Sequence, residues 1–489
     1  MLNQNQIPLL DALKANAARL HAPFYTPGHK RGEGISQPLA DLLGKAVFRF
    51  DLTELADLDN LFAPQGVIQE AQQLAAEAFG ASQTWFLVNG STCGIEAAIL
   101  ATCGTGDKII LPRNVHSSAI AGLILSGAIP IFINPEYDPV LDIAHSITPN
   151  SVELALQQHP DAKAVLTVYP TYYGVCGNLS AIANITHQYN IPLLVDEAHG
   201  AHFAFHPELP TPALAAGADL TVQSIHKVLG AMTQASMLHI QGNRIDCDRI
   251  SKALQLVQST SPSYLLLASL DAARQQMALH GKMLMSRTLQ LAEEARTKIS
   301  QIPGLSVLEM PDLGGSPGFV TLDKTRLTVT VSGLGLTGFE ADEILDEKFA
   351  VTAEFASLQH LTFIISLGNT PADIEQLVQG FITLAKEYRR SNLTVKNQIW
   401  LNVDRTLDYA LELSPREAFF AVSEILPLTQ TNKRICAEIV CPYPPGIPVL
   451  MPGEVITKSV LEYLQQIQAM GGFISGCNDI SLKTLKVVK

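Results

Sequence analysis

The chain has 489 residues, 47% hydrophobic and 16% charged, a composition that excludes a disordered chain and leaves room for two to four domains around a large core. With 33 basic against 46 acidic residues, its formal net charge of −13 argues against a nucleic-acid-binding surface and mildly favours a cationic partner. Its 7 cysteines are scattered and form no CxxC pair, which fits reduced thiols in the cytoplasm better than a disulfide framework or a metal centre.

In chain order, MLNQNQIPLLDALKANAARLHAPF reads as an amphipathic helix and lacks the basic start and unbroken apolar core of a signal peptide. A polar loop, FYTPGHKRG (24–32), comes next, and IQEAQQLAAEAFGA (68–81) predicts an amphipathic helix ending at Gly80. Strands are expected at 84–88, 108–112, 129–134, 164–170, 191–199 and 220–224. They are almost continuously apolar and separated by helical stretches, the pattern of a parallel sheet buried on both faces in a three-layer α/β domain. The most apolar stretch, 119–133, is broken by Ser126, Gly127 and Pro130 and is too short to span a bilayer, so no membrane partner is expected. A long helix over 282–302 ends near Pro303-Gly304, where a domain boundary is placed. Beyond it come a strand at 326–333, a helix at 339–349 and a strand at 360–368, a smaller α+β unit. A second boundary falls at the charged stretch 388–391. The last hundred residues hold a helix over SPREAFFAVSEIL (414–426) and the proline-rich CPYPPGIPVLMPGE (441–454). The expected partition is an arm (1–50), a large domain (51–305), a small α+β domain (306–390) and a C-terminal α+β domain (391–489).

Four segments carry chemistry. SIHK (224–227) puts Lys227 just past a strand end among small and hydroxyl residues, although a lone lysine is more often solvated surface. IPLLVDEAH puts Asp196 at another strand end, where carboxylates line the ligand crevice of α/β sheets and where an acid can pair with a protonated ring nitrogen. A helix cap explains Asp196 alone equally well. LVNGSTCGIEAAIL (87–100) is a strand, a small-residue turn and a helix, and its Gly90, Ser91, Thr92 and Gly94 offer N–H groups and hydroxyls to an anion at the helix N-terminus. It contains no GK[ST], so this is not a Walker loop. LPRNVHSS (111–118) places His116 where it can stack on a planar ring; taken alone, a hydrogen-bonded turn histidine is the better reading.

In order, these segments read as phosphate cup, stacking histidine, ring-nitrogen aspartate and Schiff-base lysine. With FYTPGHKRG, FDLTELADLDNL (50–61), YPTYYG (169–174), VDEAHGAH, QSTSPSYLLLASLDAAR (258–274), SPREAFF and PYPPGIPVLMPGE, the chain resembles, nearly end to end, the ornithine/lysine/arginine decarboxylases. These belong to the aspartate-aminotransferase-like group of pyridoxal-phosphate enzymes (fold type I). The resemblance implies pyridoxal 5′-phosphate bound through Lys227, with Asp196 on the ring nitrogen and His116 on the ring face. It implies phosphate contacts from Gly90, Ser91, Thr92 and Ser224, and a role for His226 in phosphate binding or proton transfer. His199 stands where some larger members carry tryptophan, and Thr260 is expected to reach a phosphate across a dimer interface. The short arm before FYTPGHKRG, where larger members carry a ring-forming domain, suggests a homodimer or homotetramer.

A decarboxylase orients the substrate carboxylate out of the ring plane, whereas an aminotransferase clamps it in plane with a small-domain arginine. HLTFIISLGNT (360–370) contains none, which favours decarboxylation unless an arginine elsewhere substitutes. The distal cation of a basic substrate calls for a carboxylate: Glu454, Asp51 or Asp59, with a cap or surface role as the even alternative. Arginine, giving agmatine in polyamine metabolism, is favoured over lysine giving cadaverine or ornithine giving putrescine. The alternatives are another fold type I enzyme, an aminotransferase or carbon–carbon lyase, or a non-catalytic cofactor-binding regulator. Gly333, Gly335 and Gly338 spell GxGxxG, but without a βαβ unit around them a nicotinamide site is a poor reading.

Overall fold

The structure is a computed structural model that describes residues 2–311, 316–388, 410–443 and 447–489. The expected boundary at 390/391 and the middle of the proline-rich segment lie outside the described residues. The main sheet has seven strands: β1 (Gln83–Leu87), β2 (Lys108–Pro112), β3 (Ile129–Ile133), β4 (Ala164–Val168), β5 (Leu193–Asp196), β6 (Leu220–Gln223) and β7 (Ser236–Ile240), in the order β1-β7-β6-β5-β4-β2-β3. It is mostly parallel: β2 pairs in parallel with β3 and β4, and β5 with β6, while β7 is antiparallel to both β1 and β6. β5 (LLVD) and β6 (LTVQ) are buried at every position, with the polar Asp196, Thr221 and Gln223 buried beside the apolar residues.

The chain divides into two compact units. The first comprises Met1–Thr102 and Pro192–Ser286. In it the N-terminal helix Pro8–Ala18 buries Leu9, Leu13 and Ala17. It is anchored at its start by Asp271, whose carboxylate accepts from Leu9 N, and by Arg274, whose Nη2 donates to Gln6 O at 2.8 Å. The helix Val67–Phe79 buries Ile68, Ala71, Leu74, Ala75 and Phe79 along one face, the spacing expected of it. The helix Gly90–Thr102 lies so close to the sheet that a Cβ at Gly94 would come within 2.6 Å of Val222 and 2.7 Å of Leu87. β7 was not expected, and the long helix starts at Tyr264 and runs 37 residues to Ser300 rather than beginning near 282.

The second unit comprises Cys103–Ile191 and Arg287–Lys489. It holds a second sheet of β8 (Ser306–Val307), β9 (Arg326–Thr330), β10 (Phe355–Ala356) and β11 (His360–Ile364), antiparallel in the order β8-β9-β11-β10. Leu327, Val329, Leu361 and Phe363 from these strands pack with Leu345, Leu377 and Phe381 from the helices Gly338–Phe349 and Pro371–Tyr388. The GxGxxG match is explained here: Thr337 forms a capping box with Glu340, and a Cβ at Gly338 would meet Ser357 O at 2.2 Å. These glycines permit close backbone packing and open no dinucleotide fold. Helix over all of SPREAFFAVSEIL is corrected: the helix stops at Phe420, and Ser423–Pro427 is a strand antiparallel to Thr484–Val488. The capping box of Ser414 and Glu417 starts the helix as its sequence suggests, but pairing with the C-terminal strand turns the second half of the segment into sheet. None of the 7 cysteines is in a disulfide, and five of them (93, 103, 176, 436 and 441) are buried.

Candidate active site

The first unit brings five of the expected residues, Asp196, His199, Ser224, His226 and Lys227, to or just past the carboxyl ends of β5 and β6. Asp196 ends β5 in register with Val222 of β6; it is 8% exposed, and its Oδ1 accepts from Ala198 N at 3.2 Å. Ser224 comes directly after β6 and leads into the single helical turn Ile225–Val228 that carries Lys227. Ser224 Oγ donates to Ser91 Oγ at 2.8 Å, joining the lysine turn to the first turn of the helix Gly90–Thr102. Gly90 has φ +73° with nothing within 4 Å of a Cβ built on it, so the approach to this helix N-terminus is open. Ser91 is half-buried and Thr92 exposed, both within that first turn.

Lys227 Nζ lies 3.1 Å from His199 Nε2, a contact that sequence reasoning did not reveal. His226 faces elsewhere: its Nδ1 bonds to Ala235 O at 3.1 Å, tying the turn to the start of β7. Thr260 is exposed, on the connection between the helices Cys247–Val257 and Tyr264–Ser300. Behind the site stands a residue that was missed. Glu197 is fully buried, and its carboxylate accepts from Ala213 N at 2.8 Å, Thr221 Oγ1 at 3.0 Å and Gln223 Nε2 at 2.8 Å. Burial nonetheless pushes its carboxyl up to about 7. Gln223 Oε1 in turn meets His239 Nε2 at 3.2 Å, and burial lowers His239 to about 3. VDEAH presents two adjacent acids; only their three-dimensional partners separate them.

In the second unit, His116 is the N-cap of the helix Ser117–Ser126, its Nδ1 accepting from Ser118 N at 3.2 Å. Glu454, expected at the substrate's distal cation, is instead 1% exposed and bound to Arg113 Nη2 at 3.0 Å, its Oε2 also accepting from Met451 N at 3.0 Å. Desolvation raises its carboxyl, with the Arg113 guanidinium opposing. An internal guanidinium engages this carboxylate in the structure. The two other acids weighed for the role are also engaged. Asp51 Oδ2 meets His29 Nε2 at 3.1 Å. Asp59 overcomes its own desolvation and is held below the usual carboxylate range by backbone donors of Gln65, Asn60, Gly66 and Gln69. An arginine does stand beside the strand that lacked one: Arg326 on β9 is in register with Ile364 and has no solvent exposure.

Residues 7–325 match the family described as Orn/Lys/Arg decarboxylase, major domain, and residues 405–478 match its C-terminal domain. The chain belongs to the Orn/Lys/Arg decarboxylase family. It is 40% identical over 488 residues to an arginine decarboxylase of Bacillus subtilis (strain 168), covering 100% of this chain and 99% of that one. It is 25% identical to the lysine decarboxylase LdcA of Pseudomonas aeruginosa, over 94% of this chain and 75% of the relative. Among solved structures, the lysine decarboxylase LdcF of Francisella novicida superposes with a TM-score of 0.86 over 99% of this chain and 82% of that one; at 21% identity this is a likeness of fold.

The protein is thus an amino-acid decarboxylase of the fold type I group with pyridoxal phosphate as its cofactor. The residues of the first unit fit that group. The open helix start after Gly90, with Ser91 and Ser224 hydroxyls beside it, suits a phosphate. The buried carboxylate of Asp196 suits a protonated ring nitrogen, because a buried acid is stabilised by a cationic donor. The amine of Lys227, in contact with a second base, suits an aldehyde carbon.

Proposed function

We propose that the decarboxylase converts arginine to agmatine and carbon dioxide, with Lys227 as the residue that carries the cofactor. The observation that supports this most is the contact of Lys227 Nζ with His199 Nε2 just past β6, beside the strand that ends in Asp196. Arginine is the preferred substrate because relatives in Bacillus subtilis and Halalkalibacterium halodurans, both 40% identical over essentially the full chain, are named arginine decarboxylase.

When bound, pyridoxal phosphate supplies an electron-poor ring that takes up the electron pair released as the carboxylate departs. The Asp196 carboxylate keeps a proton on the ring nitrogen. Backbone N–H groups after Gly90 and the hydroxyls of Ser91, Thr92 and Ser224 hold the phosphate. In this reading His116 lies on the ring face, and Thr260 reaches a partner subunit's phosphate in a homodimer or homotetramer. His226, tied to Ala235 O, fixes the turn that aims Lys227. Lys227 Nζ delivers the proton that replaces the lost carboxylate at the α-carbon, and His199 Nε2 restores it. The work is placed in the cytoplasm, in polyamine metabolism. Supporting this, none of the 7 cysteines is in a disulfide, and among the described residues no helix is long and apolar enough to cross a membrane.

The test is a panel of arginine, lysine and ornithine, with carbon dioxide measured and the product amine identified by mass. Agmatine should dominate; faster turnover of lysine or ornithine overturns the substrate assignment. Lys227→Ala should lower turnover by roughly a thousandfold or more and leave a cofactor that borohydride no longer fixes to the chain. Near-normal activity in that variant would remove Lys227 from its role.

A further inference from the structure

Arg113 is the residue at which β2 gives way to the turn carrying His116, and its backbone N donates to Ile133 O at 2.9 Å. Its side chain is 6% exposed and stands above the Phe132 ring, 5.7 Å from the centroid. The guanidinium donates to one distant stretch of chain: Nη1 to Pro448 O at 2.7 Å, and Nη2 to Val449 O at 3.1 Å and Glu454 Oε2 at 3.0 Å. Glu454 is itself fixed, since its Oε2 accepts from Met451 N and its backbone O accepts from Cys436 N at 2.8 Å. Three residues past Arg113, His116 caps the helix Ser117–Ser126. The other end of that helix is held by the same part of the chain: Arg416 Nη1 donates to Ile124 O and Leu125 O, both at 2.8 Å. A cation on the last carbonyls of a helix is a favourable cap. The His116 helix is therefore gripped at both ends by arginine contacts with residues beyond 410.

A buried ion pair is weak evidence for added stability, because taking both charges out of water offsets much of their attraction. What it fixes well is geometry, through a planar fork with several acceptors in set directions. We infer that Arg113 and Glu454 are positioning residues for His116, by which the segment beyond residue 410 fixes the turn that carries that ring. This rests on the reading of His116 as a cofactor-facing residue. Arg113 and Glu454 touch neither substrate nor cofactor in this role; they act through the turn.

The experiment is a double-mutant cycle between Arg113→Lys and His116→Ala in the holoenzyme. It is read by the visible circular dichroism of the bound cofactor, by cofactor affinity in equilibrium dialysis, by kcat and KM separately, and by the thermal midpoint. Lysine keeps the charge and loses the fork. Arg113→Lys should weaken the dichroic band and lower kcat about tenfold with KM little changed. In the His116→Ala background it should add nothing further to either. Should Arg113→Lys fail to fold, the double replacement Arg113→Met/Glu454→Met, which fills the space without charge, enters the same cycle. A fall in thermal midpoint with the band and kcat unchanged makes the pair merely structural and overturns the inference, as does a strictly additive cycle. If His116→Ala alone leaves cofactor affinity and the band unchanged, the reading of His116 falls and the inference falls with it. If His116→Ala acts but Arg113→Lys does not, the inference alone falls.

Discussion

Glu197 shows how much one side chain's surroundings decide. Its ordinary carboxylate value is 4.5, and burial carries it to about 7 in the fold, so the folded protein binds a proton there that the unfolded chain releases over that interval. Its contribution is fully present below about 4.5 and is lost as pH rises through 7. His239 acts over the lower window. Its value falls from 6.5 to about 3, so its contribution is present above 6.5 and is lost as pH falls toward 3. Glu197→Gln removes the first dependence only. Relative to the parent, its unfolding free energy should improve by on the order of 1–3 kcal/mol between pH 5 and pH 8, measured by urea unfolding; an unchanged difference would place the proton elsewhere. At this scale the sequence was legible where residue type narrows the chemistry: Lys227, Asp196 and Ser224 lie together at neighbouring strand ends as expected. It was silent where partners are remote. Arg113 and Glu454 are 341 positions apart, so their pairing left no mark in the sequence. His199 and Lys227, 28 apart, carried no joint signal, and Glu197 was overshadowed by the aspartate before it.

Among the elements, the helix Gly90–Thr102 is the most tightly constrained. With Val222 and Leu87 waiting at 2.6 and 2.7 Å, Gly94→Ala must either push the helix off the sheet or displace both side chains. Overpacking of this kind costs typically about 1–3 kcal/mol. Because the displaced turn carries Ser91 against Ser224, phosphate affinity should drop together with the thermal midpoint. Equilibrium dialysis with pyridoxal phosphate beside thermal unfolding checks this; a lower midpoint with unchanged affinity would detach the helix start from the phosphate. Elements whose period and caps agree were readable, such as Val67–Phe79 ending at Gly80 and Gly338–Phe349 with its capping box. Those settled by a distant partner were not. β7, with His239 in its interior, reads as a strand only once β1 and β6 flank it. Ser423–Pro427 continues a helical pattern on paper and becomes a strand by pairing with Thr484–Val488.

Over the whole molecule, the distribution of thiols gives a simple measure of integrity. Only Cys247 and Cys477 are partly exposed, and burial pushes Cys477 up to about 11 and raises Cys247 as well. Cys93, Cys436 and Cys441 are driven to about 12 by the same cause. Since the thiolate is the nucleophile, a disulfide reagent at pH 8 should modify the native chain slowly at two positions, and all 7 cysteines once it is unfolded. Fast reaction of more than two in the native state would contradict the packing. One contact at the centre has a reach of its own. Two nitrogens 3.1 Å apart, on Lys227 and His199, lie within reach of a hydrogen bond in either direction. An ammonium on one side needs a bare lone pair on the imidazole, and an N–H on the imidazole needs a bare lone pair on the amine. Wherever that hydrogen bond holds, one of the two nitrogens keeps a lone pair, so an aldehyde arriving at the empty enzyme meets either the amine nucleophile or the base beside it that can free it.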